Sequence, residues 1–248
     1  IPGVDLDLDL AGRNAGIINI RSVYDIDGVA AVNIAAIADP GVTTAAQRPA
    51  RFVRVEKAVS QPDDDVRDID DTAFGPIIQL GMREIVGYAP VEPDGSVRVV
   101  VPANVALAVT VLDADGRRIS TRHNNWLQVR PGDEVRCSGC HSPVSGLSHG
   151  RADAFNAVYA GAPTTGVPFR NTVATFSPDV GETMAETRTR VSCQTDCAAL
   201  EPSVDVLYTD VWTDPAVATP AASFSYEYSN LTTLAPTRIR KRSVGDCV

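Results

Sequence analysis

The sequence predicts a mostly β protein: a β-sandwich-like domain that runs into a loop-rich, partly helical segment. Two observations carry this. Short runs of β-branched and apolar residues recur from about residue 16 to residue 130, with turn signals roughly every 8–12 residues, as in β-sandwiches. After residue 141 the texture changes to Gly, Pro, Ser, Thr and Asn with few long apolar runs, a composition too poor in apolar side chains to build its own core.

Residues 1–14 interleave Asp5, Asp7 and Asp9 with leucines. That period of two predicts an edge strand or extended arm whose carboxylates form a solvated face and block edge pairing; a calcium site is the alternative. Residues 16–23 form a strand, closed by the turn Asp25-Ile26-Asp27-Gly28. Residues 30–37 suit a short helix, and 51–56 alternate as a strand. The acidic stretch 62–71 reads as a solvated loop. It is a second possible calcium site, but it lacks the Gly and closing Glu of an EF-hand loop.

From residue 85 the pattern is all β. Strands are expected at 85–89, 96–102, 105–112, 117–121 and 126–130. They are separated by turns at Asp94-Gly95, Asp115-Gly116 and Pro131-Gly132. Short helices are expected at 152–159 and 182–190, and strand character returns over 203–234. The predicted organisation is a β-rich domain over 1–135, a cofactor-binding segment over 136–200 and a β-rich extension over 201–248.

The chemistry sits in Cys137-Ser138-Gly139-Cys140-His141, a C-x-x-C-H run. This is the attachment pattern of a c-type haem. Two thiols spaced by two residues reach both vinyl groups, and the adjacent imidazole is placed to ligate iron. A redox dithiol would sit in a βαβ unit, which the pattern lacks, and a zinc site would need a second ligand pair. Segment 142–189 is expected to wrap the porphyrin, which supplies the apolar surface this stretch lacks. No phosphate-binding Gly loop, Gly-x-Ser-x-Gly or His-Glu-x-x-His occurs.

Of 248 residues, 31 are acidic and 22 basic, a formal charge of −9. This balance disfavours nucleic acid and suits basic partners. No apolar run reaches the ~18 residues of a membrane span. Haem c attachment implies export to the periplasm or beyond, and the Ile1-Pro2-Gly3 start and Cys247-Val248 end suggest a processed piece of a longer protein. Three further cysteines, Cys193, Cys197 and Cys247, are expected to hold at least one disulfide, with Cys193–Cys197 favoured.

The run from Gly87 through Pro93-Asp94-Gly95, then Val101-Pro102-Ala103, Leu112 to Gly116, Trp126 and Pro131-Gly132 up to His141 resembles a known family. It is similar to the middle domain of the hydrazine synthase alpha subunit and of many bacterial multi-domain c-type cytochromes. Arg21 to Asp25 and Phe52 to Glu56 fit the same pattern. The resemblance implies a β-rich domain carrying one haem, beside neighbouring cytochrome domains or redox partners. Hydrazine synthesis needs several haems, and this chain holds one C-x-x-C-H.

Three histidines are present, so the sixth iron ligand has two imidazole candidates beside His141. His149 follows His141 by eight residues, a loop able to extend about 25 Å, and Gly150 after it permits a close approach. His149 is the expected ligand. His123, beside Asn124 and Asn125, is the alternative, and Met82 and Met184 are further options. The expected function is electron transfer by a single-haem c-type cytochrome. The rivals are a haem enzyme acting on a small nitrogen or peroxide substrate, and a structural module of an extracellular cytochrome assembly.

Overall fold

The computed structural model describes residues 6–70, 81–121, 123, 125–142, 157–170, 175–192, 201–203 and 211–212, together with the backbone of 206–209 and 225–228. The described residues open not on a strand but on a short helix, α1 (Leu8–Gly12). The period-two reading fails here because the Asp7 carboxylate accepts from the backbone N–H groups of Asp9 and Leu10, which makes it an N-cap rather than a strand residue. Leu10 then packs with Ala15, Ile17 and Val100.

Two three-stranded sheets follow the expected runs. In the first, β1 (Ala15–Ile20) lies between β6 (Val97–Pro102), antiparallel, and β8 (Glu134–Cys137), parallel. In the second, β4 (Phe52–Val59) lies between β5 (Met82–Pro90) and β7 (Leu107–Leu112), both antiparallel. A bulge at Val55/Glu56 shifts the β4–β5 register. A two-residue-strand hairpin, β2 (Asp25–Ile26) and β3 (Val29–Ala30), turns at Asp27-Gly28 with both at positive φ. The expected strands at 117–121 and 126–130 shrink to single bridges, Leu112 with Arg118 and Leu107 with Leu127.

Both sheets contribute to one core. Ile18, Ile20, Val97, Val99 and Val101 from the first meet Val53, Val55, Ala89, Leu107 and Val111 from the second. This is the sandwich arrangement the alternating patterns predict, since each strand presents every second side chain to the shared interior. The short helix α2 is at Ile34–Ala38, with Asn33 as its N-cap. Helix α3 is at Met184–Ser192. Strands β9 (Val206–Thr209) and β10 (Ser225–Tyr228) pair antiparallel. Residues 62–70 of the acidic stretch carry no regular element. Asp5 and residue 71 lie outside the described residues, and no three His, Cys, Asp or Glu side chains gather at one point among those described. Of the helix expected at 152–159, residues 152–156 lie outside the described residues, and 157–159 are not helical.

The turn between β5 and β6 docks the later segment onto the sandwich. Asp94 accepts from the backbone of Met184 and Ser96, and the Ser96 hydroxyl accepts from Ala185 N–H. Glu92 accepts from Arg188 at 2.7 Å and from the buried Trp212 indole at 2.6 Å. On the outer face of the first sheet, Arg21, Arg98, Glu134, Arg136, Glu182 and Arg190 line an open polar cleft of about 420 Å³. Burial pushes Glu134 up, but hydrogen bonds from Asn19 and Arg98 and the charges of Arg98 and Arg136 outweigh it, so its carboxyl stays below the usual range.

Asp94 is fully buried, and burial pushes its carboxyl from the ordinary 3.8 up to about 6 against the opposing hydrogen bonds. The folded state therefore holds this proton more tightly than the unfolded chain. The stability it contributes is complete below about pH 4 and is lost as pH rises towards 6, by roughly 3 kcal/mol. In Asp94→Asn the group no longer titrates. Denaturant titrations at pH 4 and pH 7 should show the wild type losing about that much relative to the variant. A pH-independent difference would place the acid elsewhere.

Candidate haem-attachment site

Strand β8 ends on Cys137, and the four residues after it are laid along the turn 21–28. Arg21 N–H donates to the Cys137 carbonyl at 2.9 Å and Ser22 N–H to the Ser138 carbonyl at 3.2 Å. Cys140 N–H donates to the Asp25 carbonyl at 2.8 Å, and Asp27 N–H returns a bond to the Cys140 carbonyl at 3.1 Å. The Asp27 carboxylate then accepts from Ser142 N–H at 2.8 Å. Backbone groups on both sides of His141 are thus fixed to one hairpin, which sets the direction in which the imidazole leaves the chain. Asp25 is itself tied on both carboxylate oxygens, to Gly28 and Val158 N–H groups.

The spacer glycine is dictated by this packing. A Cβ on Gly139 would run into the Asp25 carbonyl and Cβ and lie 2.8 Å from the Ser22 carbonyl. The x-x of the motif is therefore pressed against the hairpin. Cys137 and Cys140 are half-buried and pack against the shared core.

The two thiols are free, with no disulfide between them. Burial pushes Cys140 up to about 12, with the neighbouring Cys137 and Asp25 charges adding to it, and burial likewise raises Cys137. Two thiols spaced by two residues with a histidine directly after them are the donor set that thioether attachment of a haem uses. The residues present fit a c-type haem.

Across from His141 stands His123, with ring centres 6.1 Å apart and ring planes inclined by 58°. Thus the structure brings together Cys137, Cys140, His141 and His123. His149 and the cysteines Cys193, Cys197 and Cys247 lie outside the described residues. Met184 is buried at the start of α3, with its N–H on Asp94. The sequence reading took Asp25, Asp27 and Gly28 as a turn only. Their Asp-x-Asp-Gly pattern does signal a hairpin, but not that the hairpin would pair with residues 138–142.

The fold and site define a β-sandwich domain that presents a C-x-x-C-H motif from a strand end toward a second histidine. A family model of the hydrazine synthase alpha subunit middle domain matches residues 46–142, ending just past this motif. Among solved structures, Kuenenia stuttgartiensis hydrazine synthase is similar, with 19% identity over 56% of this chain and a TM-score of 0.38. The match covers 20% of that chain, so this protein spans about a fifth of its length. No curated protein matches the sequence.

Gly139→Ala tests the packing of the motif. Forcing a methyl against the Asp25 backbone should cost roughly 2 kcal/mol or more of stability. Urea denaturation checks this, and an unchanged midpoint would show that the hairpin does not press on the motif.

Proposed function

We propose that this chain is a single-haem c-type cytochrome module that transfers electrons. The observation that carries the reading is the C-x-x-C-H run held open by the 21–28 turn, with two free, apolar thiols and His141 set beside them. Cys137 and Cys140 are the thioether sites and His141 an axial ligand. A second histidine, His123 or His149, completes the iron's coordination. A bound haem supplies a one-electron iron couple whose potential follows from its ligands and burial.

The residues of the chain do the rest. The hairpin orients His141, the sandwich edge keeps water from one side of the attachment site, and the 92–96 turn holds the later segment against the sandwich. The acidic balance favours basic redox partners, and the match to a middle domain of the hydrazine synthase alpha subunit favours neighbouring domains as such partners. Attachment of this kind places the protein outside the cytoplasm, in the periplasm or beyond.

The decisive measurement is denaturing mass spectrometry of the protein matured in a host able to attach haem c. The wild-type mass should rise by one haem, Cys137→Ala and Cys140→Ala should each lose one thioether, and the double variant should carry no covalent haem. A wild-type mass equal to the bare chain overturns the proposal. In potentiometric titration, the loaded protein should show one reversible single-electron wave.

A further inference from the structure

We infer that His123 is the distal iron ligand, opposite His141; this rests on the haem attachment proposed above. An iron–nitrogen bond is about 2.0 Å and an imidazole centre lies about 1.1 Å beyond its nitrogen, so two imidazoles trans on one iron have centres roughly 6.2 Å apart. The His123 and His141 rings stand at 6.1 Å. The inclination of 58° is free to vary in such a pair, because each ring rotates about its own metal–nitrogen axis.

Separation alone would also suit two imidazoles in direct edge contact. What distinguishes His123 is how its backbone is held. The Arg83 guanidinium donates to the His123 carbonyl at 3.0 Å. Arg83 is itself mostly buried, lies 3.6 Å from the Glu56 carboxylate, and stacks over the Trp126 ring at 4.6 Å. Just beyond, Leu127 exchanges two backbone bonds with Leu107 at 2.8 and 2.9 Å. Three fastenings thus fix His123, Trp126 and Leu127 to the second sheet, while the turn 21–28 fixes His141 beside the first. The two imidazoles, fastened through different sheets, stand with their ring centres 6.1 Å apart. Arg83 is a positioning residue, acting through the His123 backbone.

Bis-histidine ligation leaves no open coordination position, which favours electron transfer over substrate chemistry at the iron and sets a lower potential than methionine would. The test uses the holoprotein. Ferric wild type should be low-spin by absorption and electron paramagnetic resonance. His123→Ala should keep its covalent haem by mass, become high-spin, bind cyanide readily, and return to low-spin on adding imidazole. His149→Ala should stay low-spin. Arg83→Ala should show a high-spin fraction that added imidazole removes. His123→Met, which keeps the bulk of the side chain, should remain six-coordinate at a raised potential. A low-spin His123→Ala in the absence of added ligand, or a high-spin wild type, overturns the assignment while leaving covalent attachment standing. A wild type with no covalent haem overturns the attachment itself.

Discussion

Everything at this site depends on the backbone clasp between the Asp25–Gly28 hairpin and residues 138–142. A C-x-x-C-H segment has no secondary structure of its own after Cys137, and a short irregular segment keeps a direction only if its polar groups are tied. Here four backbone bonds and one carboxylate cap tie it. The left-handed backbone of Asp27 and Gly28 makes the hairpin tight enough to sit against Gly139. The left-handed conformation at Asp27 is of the kind that persists where the surroundings over-determine it, and the three bonds around Asp27 and Cys140 do so.

The second constraint is the 92–96 turn. Its carboxylates and hydroxyl meet the first N–H groups of α3, the Arg188 guanidinium and the Trp212 indole. Polar groups buried this deeply are costly unless satisfied, and each finds its partner in the segment that follows the haem motif. A turn belonging to the sandwich therefore specifies where a helix some ninety residues later must start. Tyr159, from the later segment, packs against the same core as Cys137 and Cys140.

The pairing of His123 with His141 follows from strand order rather than from local sequence. β8 inserts beside β1 in the first sheet, while Leu127 bridges Leu107 of β7 in the second. The two histidines, eighteen positions apart, are thus tied to different sheets, and their ring centres lie 6.1 Å apart.

The sequence by itself determined the β class, the core strands, the Asp-Gly turns, and the C-x-x-C-H spacing of Cys137, Cys140 and His141. These are local properties: strand alternation has a period of two, Gly tolerates positive φ, and two thiols beside an imidazole need only their spacing. Its errors were local too. Asp7 reads as an alternating strand residue until its carboxylate is seen capping a helix, and the runs at 117–121 and 126–130 have strand composition but only enough partner for single bridges. The tertiary structure alone decided that His123 stands beside His141, that Arg83 holds the His123 backbone, and that the 25–28 turn serves the motif. Those contacts join residues 18 to 115 positions apart, and such pairings are set by sheet order and packing, which no short stretch of sequence encodes.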